Sequence, residues 1–195
     1  MTKMEPFEYD VKITVHDLYL IILWDTNYFD SRPESKRICG KRVADGLFSV
    51  EAFASNPKPE YRIAQALGEK LRPQLSEAIK QTEYHLKASL DAVYADLQDP
   101  LVTAIDTASP PTNAYMLFVE KGKGAPLVNS FIRLFILMDH ITTGLKSLHF
   151  KGCLTKAEYK KREDADAKPL RKLMNDLNVI IKKYHQQRKT LSAKP

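Results

Sequence analysis

The chain has 195 residues, 44% of them hydrophobic and 28% charged, enough to bury a real core and too apolar for an intrinsically disordered protein. Its longest apolar run, Leu18 to Trp24, is too short to cross a bilayer, and the opening residues Met1 to Pro6 have no signal-peptide character, so the expectation is a cytoplasmic protein without a membrane partner. The net charge of +6 conceals a division: residues 1–120 carry 13 Lys and Arg against 18 Asp and Glu, whereas residues 121–195 carry 17 against 6.

In chain order, Phe7, Tyr9, Val11, Ile13 and Val15 alternate with Glu8, Asp10, Lys12, Thr14 and His16, the period-2 pattern of a strand with one buried face. Asp17 is placed to cap a helix running to about Tyr28, although Leu18 to Leu23 are apolar enough to prolong the strand instead. After the break at Ser31-Arg32-Pro33, Pro33 suits the first position of another helix. Arg32, Lys36, Arg37, Lys41 and Arg42 form a basic island there. From Glu60 to Leu97 apolar residues recur at helical spacing, with Pro73 expected to kink or split the span.

Leu101–Asp106 and Ala114–Glu120 read as two short strands forming an antiparallel pair across Ser109-Pro110-Pro111. The loop Lys121-Gly122-Lys123-Gly124 leads to Pro126 and a helix whose broad apolar face, Leu127 to Leu148, marks it as central to the core. Gly152 stops that helix, Thr155-x-x-Glu158 has the form of a capping box, and a last helix follows Pro169. The end from Lys182 is expected to fray. The predicted class is α+β, predominantly helical with short antiparallel strands, in a single domain over 1–195 with a basic helical region over 121–195.

Catalytic signatures are lacking. Gly122-Lys123-Gly124 lies where phosphate-binding loops lie but matches neither GxxxxGK[ST] nor GxGxxG, so it reads as a flexible basic loop. His16-Asp17 and Asp139-His140 are sequence neighbours whose side chains point different ways, and Asp139-His140 reads as a satisfied polar pair or an interface contact. Cys39 and Cys153 belong to no ligand cluster. No enzyme, metal or cofactor is expected.

A binding function is better supported. A basic third is an electrostatic footprint for a polyanion, although an acidic protein or anionic lipid leaves the same trace. A strand showing Lys12, Thr14 and His16, then a helix, then a second helix opening with basic side chains is the layout of a ribbon–helix–helix-like DNA-binding element over 8–48. Its strand reads bases while Lys36, Arg37, Lys41 and Arg42 hold phosphates. A rival placement over 113–168 uses the apolar strand Ala114–Glu120, with Lys121, Lys123, Lys151 and Lys156 nearby. Acidic Glu8 and Asp10 on the first strand count against the earlier placement. The apolar face of the first strand suggests a homodimer that pairs it.

Val11 to His16 leading into an apolar stretch resembles the opening of the AcaB-like transcriptional regulators of conjugative plasmids and integrative conjugative elements. The later course is similar too, through the helical middle, the strand near Ser109-Pro110, the Leu127–Leu148 helix with Asp139 inside it, and Phe150 to Thr155. The resemblance implies a dimeric ribbon–helix–helix protein that binds duplex DNA and activates transfer genes, with a possible protein partner in transcription. The alternative is a non-enzymatic assembly or adaptor protein of a conjugative element that binds an acidic protein partner.

Overall fold

The alternating stretch near the start does form a strand, but its partner comes from far downstream in the same chain. The computed structural model describes residues 9–29, 37–107 and 113–192. Strand β1 (Tyr9–Val15) is followed by α1 (Leu18–Trp24), α2 (Gly40–Ala54), a 3-10 turn (Pro59–Tyr61), α3 (Arg62–Gln98) and α4 (Pro100–Thr103). Strand β2 (Tyr115–Glu120), α5 (Pro126–Phe150) and α6 (Lys156–Ser192) complete the chain. The protein is α+β and mostly helical, and among the described residues no helix is long and apolar enough to cross a membrane.

The strands pair antiparallel, Val11 with Val119, Ile13 with Leu117, and Val15 with Tyr115, so one face of the ribbon lies on the core. Val15, Leu117 and Val119 are buried, and Val11 and Ile13 pack against them from the half-buried margin. From Val11 to Val15 the apolar face that suggested a second chain is therefore packed against the core of this one. The two proposed placements of the DNA-binding element, 8–48 and 113–168, contribute one strand each to a single ribbon.

Asp17 resolves the choice between strand and helix at Leu18. Its carboxylate accepts the Tyr19 amide at 2.7 Å, starting α1, and also meets Lys146 Nζ at 2.8 Å. The helix is shorter than expected, ending at Trp24. Pro33 and Lys36 lie outside the described residues, and the next described helix begins at Gly40.

Three further expectations are corrected. Leu101–Asp106 is not a strand. Asp99 caps a helical turn by accepting the Leu101 amide at 2.8 Å, and Pro100 supplies its first residue, so Asp-Pro opens α4 as well as ending α3. Pro73 does not split α3, because its ring is exposed while Gly68, Leu75, Ile79 and Leu86 bury the helix face on both sides of it. Pro169 likewise lies inside one continuous α6, which is helical from Lys156 to Ser192. Leu177, Ile181 and Tyr184 are buried there, and the Arg188 guanidinium lies 4.0 Å from the centre of the Phe53 ring.

Helix α5 is central as its pattern implies: Phe131, Leu134, Phe135, Met138, Ile141 and Leu145 are fully buried, and α2, α3, α6 and β1 pack around it. Its first turn has no cap of its own, and Glu51 of α2 reaches across to accept the Leu127 amide at 3.2 Å. The Thr155 box forms as read: the Thr155 amide donates to Glu158 at 2.8 Å and the Glu158 amide to Thr155 Oγ1 at 3.2 Å.

Gly152 ends α5 at φ +75°, and a Cβ there would meet nothing within 4 Å. Gly152→Ala is thus expected to cost about 1–2 kcal/mol through backbone strain alone, and Gly152→Asn less. A urea titration reads this directly, and an unchanged midpoint for the alanine variant would show that the turn relaxes.

Candidate nucleic-acid interface

The outward face of the ribbon follows from the same alternation that buries its inner face. Lys12 lies opposite Phe118 and Thr14 opposite Met116. Lys12 and Thr14 are exposed, Phe118 is 40% exposed, and the Thr14 hydroxyl lies 3.6 Å from Met116 Sδ. A two-stranded ribbon of this kind fits the major groove, where a lysine can donate to guanine, a threonine to either purine or pyrimidine edges, and an apolar group can meet the thymine methyl. Met116 and Phe118 belong to the apolar strand of the rival placement. Their register beside Lys12 and Thr14 makes them part of the same surface.

His16 is held differently. Its backbone amide donates to Asp139 Oδ1 at 2.6 Å, and its Nδ1 lies 2.8 Å from Asp139 Oδ2. Asp139 is 3% exposed, while His140 faces solvent. The acid of the second His/Asp neighbour pair thus partners the imidazole of the first, and Asp17 partners Lys146. These contacts anchor the end of β1 and the start of α1 to α5.

The basic candidates separate into groups. Lys41 and Arg42 stand exposed in the first turn of α2, where neither an acidic residue nor a side-chain cap meets the helix amides. Lys41 Nζ is 3.9 Å from Asp25, and Arg42 donates to the Arg37 carbonyl at 3.3 Å. Lys123 sits between Asp45 at 2.9 Å and Glu120 at 2.5 Å, and hydrogen bonds to both carboxylates raise its pKa and keep it cationic. It tethers the turn after β2 to α2 and is not the flexible loop lysine the glycines suggested. Lys121 is exposed beside it.

A shallow hollow bordered by Trp24, Lys41, Phe118, Glu120 and Lys123 joins the ribbon to the start of α2. Lys12, Thr14, Lys41 and the Lys121–Lys123 turn thus share one region of the molecule. Lys151 and Lys156 do not join it, since α5 separates them from the turn by roughly 36 Å of helix. Lys151 is moreover occupied, donating to the Val102 and Ile105 carbonyls at 3.1 and 2.5 Å, whereas Lys156 is exposed. Lys36 lies outside the described residues.

The basic third is also less uniformly basic than its composition. Lys146, Lys160, Arg162, Arg171 and Lys172 each have a carboxylate oxygen within 2.9 Å. The surplus is concentrated in the C-terminal part of α6, where Lys182, Lys183, Arg188 and Lys189 occur after Asp176 without another acid.

These features define a predominantly helical α+β protein that carries an intramolecular antiparallel ribbon against a helical core. No family model matches the sequence, and no curated protein sequence does. Among solved structures, the chain is similar to the crystal structure of selenomethionine-containing AcaB from uropathogenic E. coli, with a TM-score of 0.67 and 16% identity. The match covers 94% of this chain and 86% of that one, and what the two share is the fold.

Proposed function

We propose that the protein is a non-enzymatic transcriptional regulator that binds duplex DNA through the outer face of the β1–β2 ribbon and activates transfer genes of a conjugative element. Lys12 and Thr14 contact base edges, Met116 and Phe118 supply the apolar part of the reading surface, and Lys41, Arg42 and Lys121 hold phosphates. His16 positions the strand through Asp139. Because the ribbon is complete within one chain, a homodimer serves to set two ribbons on successive half-sites. The observation that carries this reading is the exposed outer face of the ribbon, with Lys12 and Thr14 beside Met116 and Phe118, in a fold that the chain shares with AcaB.

The test is binding to promoter DNA from the protein's own genetic element, against scrambled duplex at equal salt. Log K is expected to fall steeply with log salt, by roughly 0.9 per neutralised phosphate. Lys12→Ala combined with Thr14→Ala is expected to reduce the preference for the cognate duplex about 10- to 100-fold while sparing most non-specific affinity. Lys41→Ala with Lys121→Ala is expected to weaken all duplexes alike and flatten the salt slope. Absence of binding at low salt, or an intact sequence preference in the Lys12/Thr14 variant, would sink this reading.

A further inference from the structure

On another part of the surface, α3 and the C-terminal half of α6 run side by side with an open groove of about 780 Å³ between them. Leu67 and Leu71 on one side, with Ile180, Tyr184 and Leu191 on the other, make the lining mostly apolar. On α3 the lining falls at positions 67, 70, 71 and 74, and on α6 at 180, 183, 184, 186, 187, 190 and 191. On α3 this is i, i+3, i+4, i+7 spacing, and on α6 the same stripe is widened by Gln186 and Thr190, so each helix turns one continuous face toward the slot, the arrangement that receives a further helix. Between positions 180 and 191 the wall extends for roughly 16 Å, about three helical turns.

The charge of the slot selects its occupant. Among the described residues its charged rim consists of Lys70 and Lys183, both exposed, and its other polar lining is neutral glutamine and threonine apart from the Tyr184 hydroxyl, which donates to the Ala64 carbonyl. Glu69, the acid beside Lys70 in sequence, is turned away from the lining and accepts from Gln65 at 3.1 Å. Lys182, Arg188 and Lys189 extend the positive field, and burial together with the fields of Arg188 and Lys189 lowers the pKa of His185 in the same stretch. Two copies of this face brought together would repel, so the surface is not self-complementary.

We propose that the α3–α6 groove docks an acidic amphipathic helix of about three turns from a protein partner. Apolar residues on one face of that helix fill the slot between Leu71 and Ile180, and its flanking carboxylates meet Lys70 and Lys183. The proposal does not depend on the DNA reading, because the groove is built from elements that contribute no residue to the ribbon.

The experiment is selection of a displayed library of helical peptides on the full chain, followed by anisotropy measurements with the enriched sequences. Enriched peptides are expected to be net acidic with apolar residues at i, i+3 or i+4, and i+7. Lys70→Glu with Lys183→Glu is expected to weaken them at least about ten-fold while duplex DNA affinity stays within about two-fold. Both side chains are exposed, and circular dichroism checks that the fold persists; Leu71→Gln gives a second, uncharged perturbation with the same expected direction. Failure to enrich acidic helices, or affinity indifferent to charge reversal, overturns the proposal. So does a dimer that dissociates on the same charge reversal, which would assign the groove to a second copy. Loss of duplex binding with peptide binding retained would assign the lysines to DNA and overturn it equally.

Discussion

Asp139→Ala is expected to cost about 2–4 kcal/mol of folding stability and to loosen the ribbon from the helical core. Asp139 is nearly fully buried in α5 and accepts from the His16 amide at 2.6 Å and from its ring at 2.8 Å. Hydrogen bonds to a charged acceptor contribute about 1.5–3 kcal/mol each, but the His16 side chain is 41% exposed, so the ring contact deserves the lower end. The loss leaves the His16 amide without its acceptor just where β1 turns into α1. Asp139→Asn keeps one acceptor oxygen and is expected to lose less. If the ribbon reads DNA, both variants should also blunt sequence preference without touching Lys12 or Thr14. A wild-type denaturation midpoint for the alanine variant would mean that the anchor is not a stabilising contact in solution.

Phe135→Ala is expected to have the largest effect of all, about 3–5 kcal/mol. The ring is fully buried and meets Trp24 edge-on at 5.2 Å and Phe131 at 5.5 Å, joining α5 to α1. Gly40, the first residue of α2, lies against the same rings. A Cβ there would come within 2.6 Å of Trp24 Cε3 and 2.9 Å of Phe135 Cζ. Gly40→Ala alone is therefore expected to cost about 1–3 kcal/mol through overpacking, since neither ring can give way as a flexible side-chain end could. Placed together, the substitutions should cost less than the total of the two, because the cavity left by Phe135 removes one clash and gives the Trp24 ring room to shift away from the new methyl group. Strict additivity in chemical denaturation would show that the helix start is not seated on this ring. If the ribbon binds DNA, the measurement bears on function as well, because the same seat positions Lys41 beside Phe118 of the ribbon.

Features governed by neighbouring residues were legible in the sequence. The alternation through Val11, Ile13 and Val15 marks β1, the apolar face from Leu127 to Leu148 marks α5 as central, and Thr155 to Glu158 and Gly152 mark helix ends. Each depends on spacing or backbone preference within a few residues. Lys12 and Thr14 were legible as an exposed face for the same reason.

Tertiary structure alone decided the rest. Strand pairing is a long-range choice, so periodicity could identify β1 and β2 but could not pair them with each other rather than β2 with Leu101–Asp106. Pro73 and Pro169 remain inside helices because burial on both sides outweighs a local cost that a sequence pattern reads as a break. Composition locates charges along the chain and not in space: Asp45 and Glu120 occupy Lys123, carbonyls occupy Lys151, and the unanswered surplus gathers along α6 beside the α3 groove. A charge becomes a binding surface only after the fold has settled which of its neighbours neutralise it, and those neighbours come from distant parts of the chain.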